Sequence, residues 1–268
     1  MSLVRVERDA AVARVVLQRT GMHNALVPEL LVDLLAALAD LQHDASCRAV
    51  VLAADGPAFS IGGDMRRFRR ERERGELRAY GDALVGQLNE TILALIDLPQ
   101  PVVAAVHGIV TGGAIGLVLA ADIVMIAPQS VFKAHYATAG FGPDGGWTAL
   151  VSRLAGRRRA ATALLLNRSI RAEEAVAWGL ASEVVAAEKL QASATAAASK
   201  IAAYPLGTMR TAKRLLWGDR EQLAADLAAE RARFVELIAA PEALAGVDAF
   251  LRDFDSYPDF KDEENAKC

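Results

Sequence analysis

Two uninterrupted apolar runs, Ala49-Val50-Val51-Leu52-Ala53 and Val102-Val103-Ala104-Ala105-Val106, constrain this chain most. A strand with one face in water alternates apolar and polar residues. A run apolar at every position is a strand covered on both faces, as in a parallel sheet between helices. Each run opens into a glycine-bearing loop and then a helical stretch. That order predicts parallel strands joined by crossovers.

The rest of the pattern fits this frame. Val4–Glu7 and Val12–Gln18 read as a hairpin. Pro28 opens a helix whose Leu30, Leu31, Leu34, Leu35, Leu38 and Leu41 share a face. A further helix runs to about Ile96, and Asp97–Pro101 breaks it. Ala114–Ala121 reads as helix, with strands at Ile123–Ala127 and Val131–Lys133. After Gly140 the chain is almost wholly helical, with one short strand near Glu183–Val185. Residues 1–200 are expected to form an α/β core, 201–260 a helical region and 261–268 a polar tail. Alanine thickens from about residue 155, a residue that favours helix and close helix packing.

Composition excludes several classes. Apolar residues make up 53% of the 268, so the chain can bury a core without disulfides or metal. Thirty basic against thirty-three acidic residues lack the basic excess that nucleic-acid binding needs. No apolar run approaches the roughly 20 residues of a membrane span. The start, Met1-Ser2-Leu3-Val4-Arg5, does not read as a signal peptide. Two scattered thiols, Cys47 and Cys268, fit a reducing compartment. These features predict a cytoplasmic protein. Histidine and cysteine are too few and scattered for a metal centre.

Three loops carry the candidate chemistry. In Ala58-Phe59-Ser60-Ile61-Gly62-Gly63-Asp64-Met65, paired glycines let backbone N–H groups approach a ligand. In Val106-His107-Gly108-Ile109-Val110-Thr111-Gly112-Gly113-Ala114, free N–H groups and the positive end of a helix converge, a setting for an oxygen gaining charge. Neither loop has the spacing of a P-loop or a dinucleotide fingerprint. In Gly140-Phe141-Gly142-Pro143-Asp144-Gly145-Gly146-Trp147, Asp144 reads either as a helix N-cap or as a carboxylate ready to move a proton.

These loops, with Asn24-Ala25-Leu26, Ala120-Ala121-Asp122-Ile123 and the stretch Ala172–Val185, resemble the enoyl-CoA hydratase/isomerase (crotonase) superfamily in motif and order. The resemblance covers about residues 3–217. It implies a crotonase-like spiral of ββα units with a C-terminal helical trimerisation region, and assembly as a homo-trimer or a hexamer of two trimers. It also implies an acyl-CoA thioester as substrate, with coenzyme A belonging to the substrate and no separate cofactor. By position it assigns Ile61 and Gly113 as backbone donors to the thioester oxygen. Met22, His23 and Ala25 fall beside the nucleotide. Ser60, Gly62, Asp64, Met65 and Gly112 are further contacts to the substrate.

The departures from the family bear on the reaction. Hydratases of this family use two glutamates. One would stand at Gly116. The other would stand at Tyr136 or, with a shift of one, at His135. Hydration needs one group to activate water and another to protonate carbon. Asp144 is the acid that remains, and one carboxylate suffices to move a double bond. The expected chemistry is isomerase-type proton transfer, from a 3-enoyl to a 2-enoyl thioester or a related ring opening. The alternatives are a hydratase with atypical acid/base residues, an aroyl-CoA dehalogenase in which Asp144 is the nucleophile, and a non-catalytic acyl-CoA-binding protein. Tyr136, His135 and Trp147 are expected beside the substrate. Met65, Phe68, Leu77, Tyr80 and Leu84 would join Trp147 around the acyl group. Residues 66–78 hold seven arginines and three glutamates, a local charge of +4 that is either a solvated helix face or a cover for CoA phosphates.

Overall fold

The computed structural model describes residues 2–256, with side chains through Arg252. The expected tail, 261–268, lies outside the described residues. Strands β1 (Val4–Asp9) and β2 (Val12–Leu17) form the predicted hairpin. Helix α1 (Pro28–Gln42) begins at the proline and buries Leu30, Leu31, Leu34, Leu38 and Leu41. Then come β3 (Ala49–Ala54), α2 (Met65–Glu73), α3 (Leu77–Asp97) and β4 (Val102–Val106). The middle of the chain holds β5 (Ile109–Thr111), α4 (Ile115–Leu119), β6 (Ile123–Ile126), β7 (Val131–Lys133) and α5 (Tyr136–Ala139). It continues with α6 (Leu150–Ala155), α7 (Arg157–Leu165), β8 (Ile170–Arg171), α8 (Ala172–Ala177) and β9 (Glu183–Val184). Helices α9 (Leu190–Ala202), α10 (Leu206–Trp217), α11 (Arg220–Leu237) and α12 (Pro241–Ser256) complete it.

The main sheet runs β1-β2-β3-β4-β6-β9, parallel apart from the first hairpin. Both its faces are covered, which is why its strands read as continuous apolar runs. Val50, Leu52 and Ala104 point into the larger core with α1 and α3. Val51, Ala53, Val103 and Ala105 meet Leu190, Ala194, Ala198 and Ala202 of α9. Alanine at every fourth position brings that helix close to the sheet. A second small sheet, β5-β7-β8, stands beside the first. Strands β5 and β8 and the one-turn α5 carry no periodic signal and are absent from the sequence reading.

Packing does not break at residue 200. Leu223, Leu227, Phe234 and Ile238 of α11 belong to the larger core. On α10, the buried Lys213 ammonium bonds Leu95 O, Gln100 O and the Asp122 carboxylate, while Trp217 reaches the same carboxylate. The C-terminal helices are therefore fastened to the core within one chain, α11 against α3 and α12 against α2 and α5. Among the described residues no helix is long and apolar enough to cross a membrane.

Candidate active site

The loop after β3 is pinned from beneath by Asn24, in a left-handed conformation (φ 54°) that asparagine tolerates. Its side-chain amide donates to Asp55 O at 2.8 Å and Ala58 O at 3.0 Å. Ser60 Oγ donates to Asn24 O and accepts from the Gly62 N–H. Gly62 has φ +76°, and a Cβ there would stand 2.7 Å from Thr111 O, so the position admits no side chain. Asp64 caps α2 by accepting from the Arg67 N–H at 3.0 Å and is paired with Arg19 at 2.7 Å. Ser60 and Asp64, expected as substrate contacts, thus spend their polar groups on holding the loop. Ser60 is wholly buried.

The donor assignment is corrected by one turn of backbone. The Ile61 N–H already donates to His23 O at 3.2 Å. The flanking bonds Leu26 N–H to Gly62 O and Asp64 N–H to Leu26 O turn the Gly63 N–H the other way. Among the described residues the N–H groups of Gly63 and Gly113 have no protein acceptor. Gly113 lies in the first turn of the 3-10 segment Gly112–Ala114 that leads into α4, where the opening N–H groups lack intrahelical partners.

Asp144 stands above Gly113. A Cβ on Gly113 would lie 3.0 Å from Asp144 Oδ2 and 2.6 Å from Leu88 Cδ2. The Tyr136 hydroxyl donates to Asp144 Oδ1 in a short bond and lies 3.0 Å from Asp144 O. Burial pushes the Asp144 carboxyl up to about 7; the charge of Glu230 acts the same way, and the Tyr136 hydrogen bond opposes both. Burial, the Asp144 charge and the hydrogen bond to it push the Tyr136 hydroxyl well above the ordinary tyrosine range, so it stays a donor. Burial, then Lys133, brings His135 down to about 4, leaving it neutral near pH 7. Asp144 caps no helix: the next one, α6, begins at Leu150.

Around these groups lies a hollow of about 560 Å³, its open mouth included. Its walls include Phe68, Phe141, Phe234 and Phe250, with Leu84 and Leu88, and its polar lining includes Tyr136, His135, Asp144 and the Gly62–Gly63 and Gly112–Gly113 backbone. A second hollow of about 400 Å³ shares Ile61, Gly63 and Met65 with it and adds Met22, His23, Ala25, Asp64 and Arg66. The two join at Gly63. The site is an aromatic chamber beside an outer groove, and the Gly63 and Gly113 backbone lines the chamber.

Several expected residues take other places. Trp147 is wholly buried behind the glycine loop, where its indole N–H donates to Gly112 O at 2.8 Å. It braces the loop and does not line the chamber. Tyr80 packs edge-on against Phe68 at 5.2 Å, and neither Tyr80 nor Leu77 lines the cavity. His107 is structural, bonded through Nε2 to Gly56 O. A Cβ on Gly116 would stand 2.4 Å from both Gly145 O and Ile92 Cδ1, so no glutamate fits there. In the arginine run, Arg67 pairs with Glu71 and Glu29, Arg72 with Asp248 and Arg74 with Glu71, while Arg66 faces the outer groove. Sequence reasoning missed Phe141, Phe234, Phe250 and Glu230. Phe141 stands inside the third loop without polar chemistry to mark it, and the other three lie on helices far from the motifs.

Among the described residues, no group of three or more His, Cys, Asp or Glu is placed to hold a metal ion. The family model for enoyl-CoA hydratase/isomerase matches residues 7–263. The chain is 30% identical over 202 residues to 4-chlorobenzoyl coenzyme A dehalogenase-2 of Arthrobacter sp., covering 75% of this chain and 73% of that one. It is 30% identical over 205 residues to the 1,2-epoxyphenylacetyl-CoA isomerase of Escherichia coli, covering 76% and 78%. The crystal structure of an enoyl-CoA hydratase/isomerase from Mycobacterium paratuberculosis superposes with a TM-score of 0.85 at 27% identity, covering 93% of this chain and 98% of that one. With the motifs, the fold and these matches in agreement, the chain belongs to the enoyl-CoA hydratase/isomerase family and has its crotonase fold.

Proposed function

We propose that this protein is an acyl-CoA enzyme that moves a proton by way of a thioester enolate, shifting a 3-enoyl to a 2-enoyl thioester or opening a strained ring by the same steps. The observation that carries this reading is one buried carboxylate, Asp144, titrating near neutrality and, among the described residues, without a cation partner, beside two N–H groups that have no acceptor among those residues. The thioester oxygen takes the N–H groups of Gly63 and Gly113, each worth about 2.7–4 kcal/mol toward the barrier. The ionised Asp144 accepts a C2 proton, and the C–H electrons pass into the enolate. The carboxylic acid then returns the proton at C4, and the double bond moves from C3–C4 to C2–C3. Matching the group to neutral pH favours transfer in both directions. The acyl group occupies the aromatic chamber, and the pantetheine arm and nucleotide follow the groove past Met22, His23, Ala25 and Arg66.

Isomerisation is placed ahead of hydration because Gly116 has no room for a side chain and His135 is too weak a base near pH 7. Solvent deuterium uptake from heavy water into 3-enoyl-CoA thioesters tests the reading. Uptake and rearrangement are expected, and a 3-hydroxyacyl product from 2-enoyl thioesters would favour the hydratase. Binding without turnover would favour a carrier role.

A second reading is favoured by the dehalogenase relative. Asp144 would attack a ring carbon and expel halide. No histidine occurs in residues 65–80 to assist hydrolysis of the resulting ester. Chloride release from a chlorinated aroyl-CoA decides it. The exposed Leu165, Leu166, Leu215 and Leu216 support assembly as a homo-trimer or hexamer, to be measured by light scattering.

A further inference from the structure

Glu230 lies on α11, far from the motif loops in sequence, yet it is 5% exposed and its hydrogen bonds all run to the loop that carries Asp144. Its Oε2 accepts from the Gly146 N–H at 2.7 Å. Its Oε1 accepts from the N–H groups of Thr148 at 2.6 Å and Ala149 at 2.9 Å, and from the Thr148 hydroxyl. These are donors that the chain leaves open as it turns from Asp144 into α6, and a local serine, threonine or aspartate usually satisfies them. Here the acceptor comes from the other end of the chain.

Burial raises the Glu230 carboxyl above the ordinary glutamate range, and the hydrogen bonds from Thr148, Gly146 and Ala149 oppose this by favouring the charged form. Three of its four partners are backbone N–H groups, which only donate and so suit an ionised group. Among the described residues Glu230 pairs with no cation. Its neighbours are turned elsewhere, Arg231 to Asp82 and Arg233 to Glu236. Asp144 is faced by the neutral Tyr136 hydroxyl from α5, by apolar Leu88 from α3, by the Gly113 backbone, and by Glu230 from α11.

We propose that Glu230 is a positioning residue: it fastens the Asp144 loop to α11 and presents Asp144 with a like charge. This rests on the reading of Asp144 as the proton carrier. Without the fastening, Gly146 and Thr148 lose their acceptor and the carboxylate leaves its place above Gly113. Without the charge, Asp144 gives up its proton at lower pH and returns it less readily.

The experiment follows turnover of trans-3-hexenoyl-CoA and deuterium uptake against pH for the full chain, with Asp144→Asn, Glu230→Gln and Glu230→Asp. Glu230→Gln is expected to move the low-pH limb of kcat toward acid by about half a unit or more, because a like charge has been removed. Glu230→Asp keeps the charge but withdraws the carboxylate. It is expected to lower kcat about tenfold or more with little change in midpoint or KM. A wild-type midpoint in Glu230→Gln, or a wild-type kcat in Glu230→Asp, overturns the proposal. If Glu230→Gln fails to fold, kcat of Glu230→Asp decides. The two readings fail separately. If Asp144→Asn retains wild-type uptake, the proton-carrier reading falls and this proposal with it. If Asp144→Asn is inert and the Glu230 variants behave as wild type, only the Glu230 proposal falls.

Discussion

Asp64 and Asp144 are both buried carboxylates set beside a pair of glycines, 3% and 7% exposed. Their partners divide them. Asp64 meets a guanidinium from Arg19 and a backbone N–H from Arg67, and it holds the start of α2. Asp144 meets one neutral hydroxyl and, further off, the like charge of Glu230. The helix-capping role that the sequence allowed at Asp144 is performed at Asp64. A buried acid with a cation and a backbone donor has its charge compensated and serves structure. One denied a cation and given a single neutral donor keeps a proton near neutral pH, and its cost to the fold argues for a use.

Exchanging each acid for its amide is the sharpest way to break this contrast. Asp144→Asn is expected to lower kcat by about 10²–10⁴-fold, the usual worth of a general acid–base group, with thioester affinity by calorimetry nearly unchanged. Equal losses in Asp64→Asn would erase the distinction. Stability against pH comes next. The Asp144 carboxyl titrates near 3.8 when unfolded and at about 7 when folded. Between those values the folded protein binds more proton than the unfolded one, so this group's contribution to stability falls as pH rises. Asp144→Asn should therefore be more stable than wild type at pH 8 in urea melts, the two curves converging toward pH 4. Asp64→Asn should instead lose stability, by about 1–3 kcal/mol, because the half-buried Arg19 is left against a neutral amide and the cap is weakened. The smallest effect is expected from Tyr136→Phe. Its hydroxyl favours the ionised Asp144, so its loss should move the low-pH limb of kcat toward alkali, opposite to Glu230→Gln. An acid shift in Tyr136→Phe would show that the hydroxyl does not stabilise the carboxylate.

Much of the fold was legible because the chain writes burial in its composition. β3 and β4 are apolar at every position since α9 covers one face and α1 with α3 the other. The three loops were legible through glycine, which marks where backbone meets backbone. What sequence cannot carry is the direction of an N–H. Ile61 and Gly63 sit two residues apart in one loop, and a bond to His23 O decides which of them is engaged. Trp147 was misplaced for a similar reason, since a large ring beside a motif reads as a wall until its indole is seen to hold Gly112 O. Glu230 left no trace, because its meaning depends on a loop far away along the chain.

The contact of Gly116 with Gly145 and Ile92 also limits what substitution can do here. The space in which the family resemblance seats a hydratase glutamate is filled here by the carbonyl of a neighbouring loop and an isoleucine methyl. Placing Glu at 116 would drive it into both, so one substitution cannot supply the second acid. Ile92 and the 144–146 turn would have to retreat first, and that turn carries the one acid the present site depends on. The glycine locks the shape of the site: a side chain at 116 is admitted only if the loop that carries Asp144 is rebuilt with it.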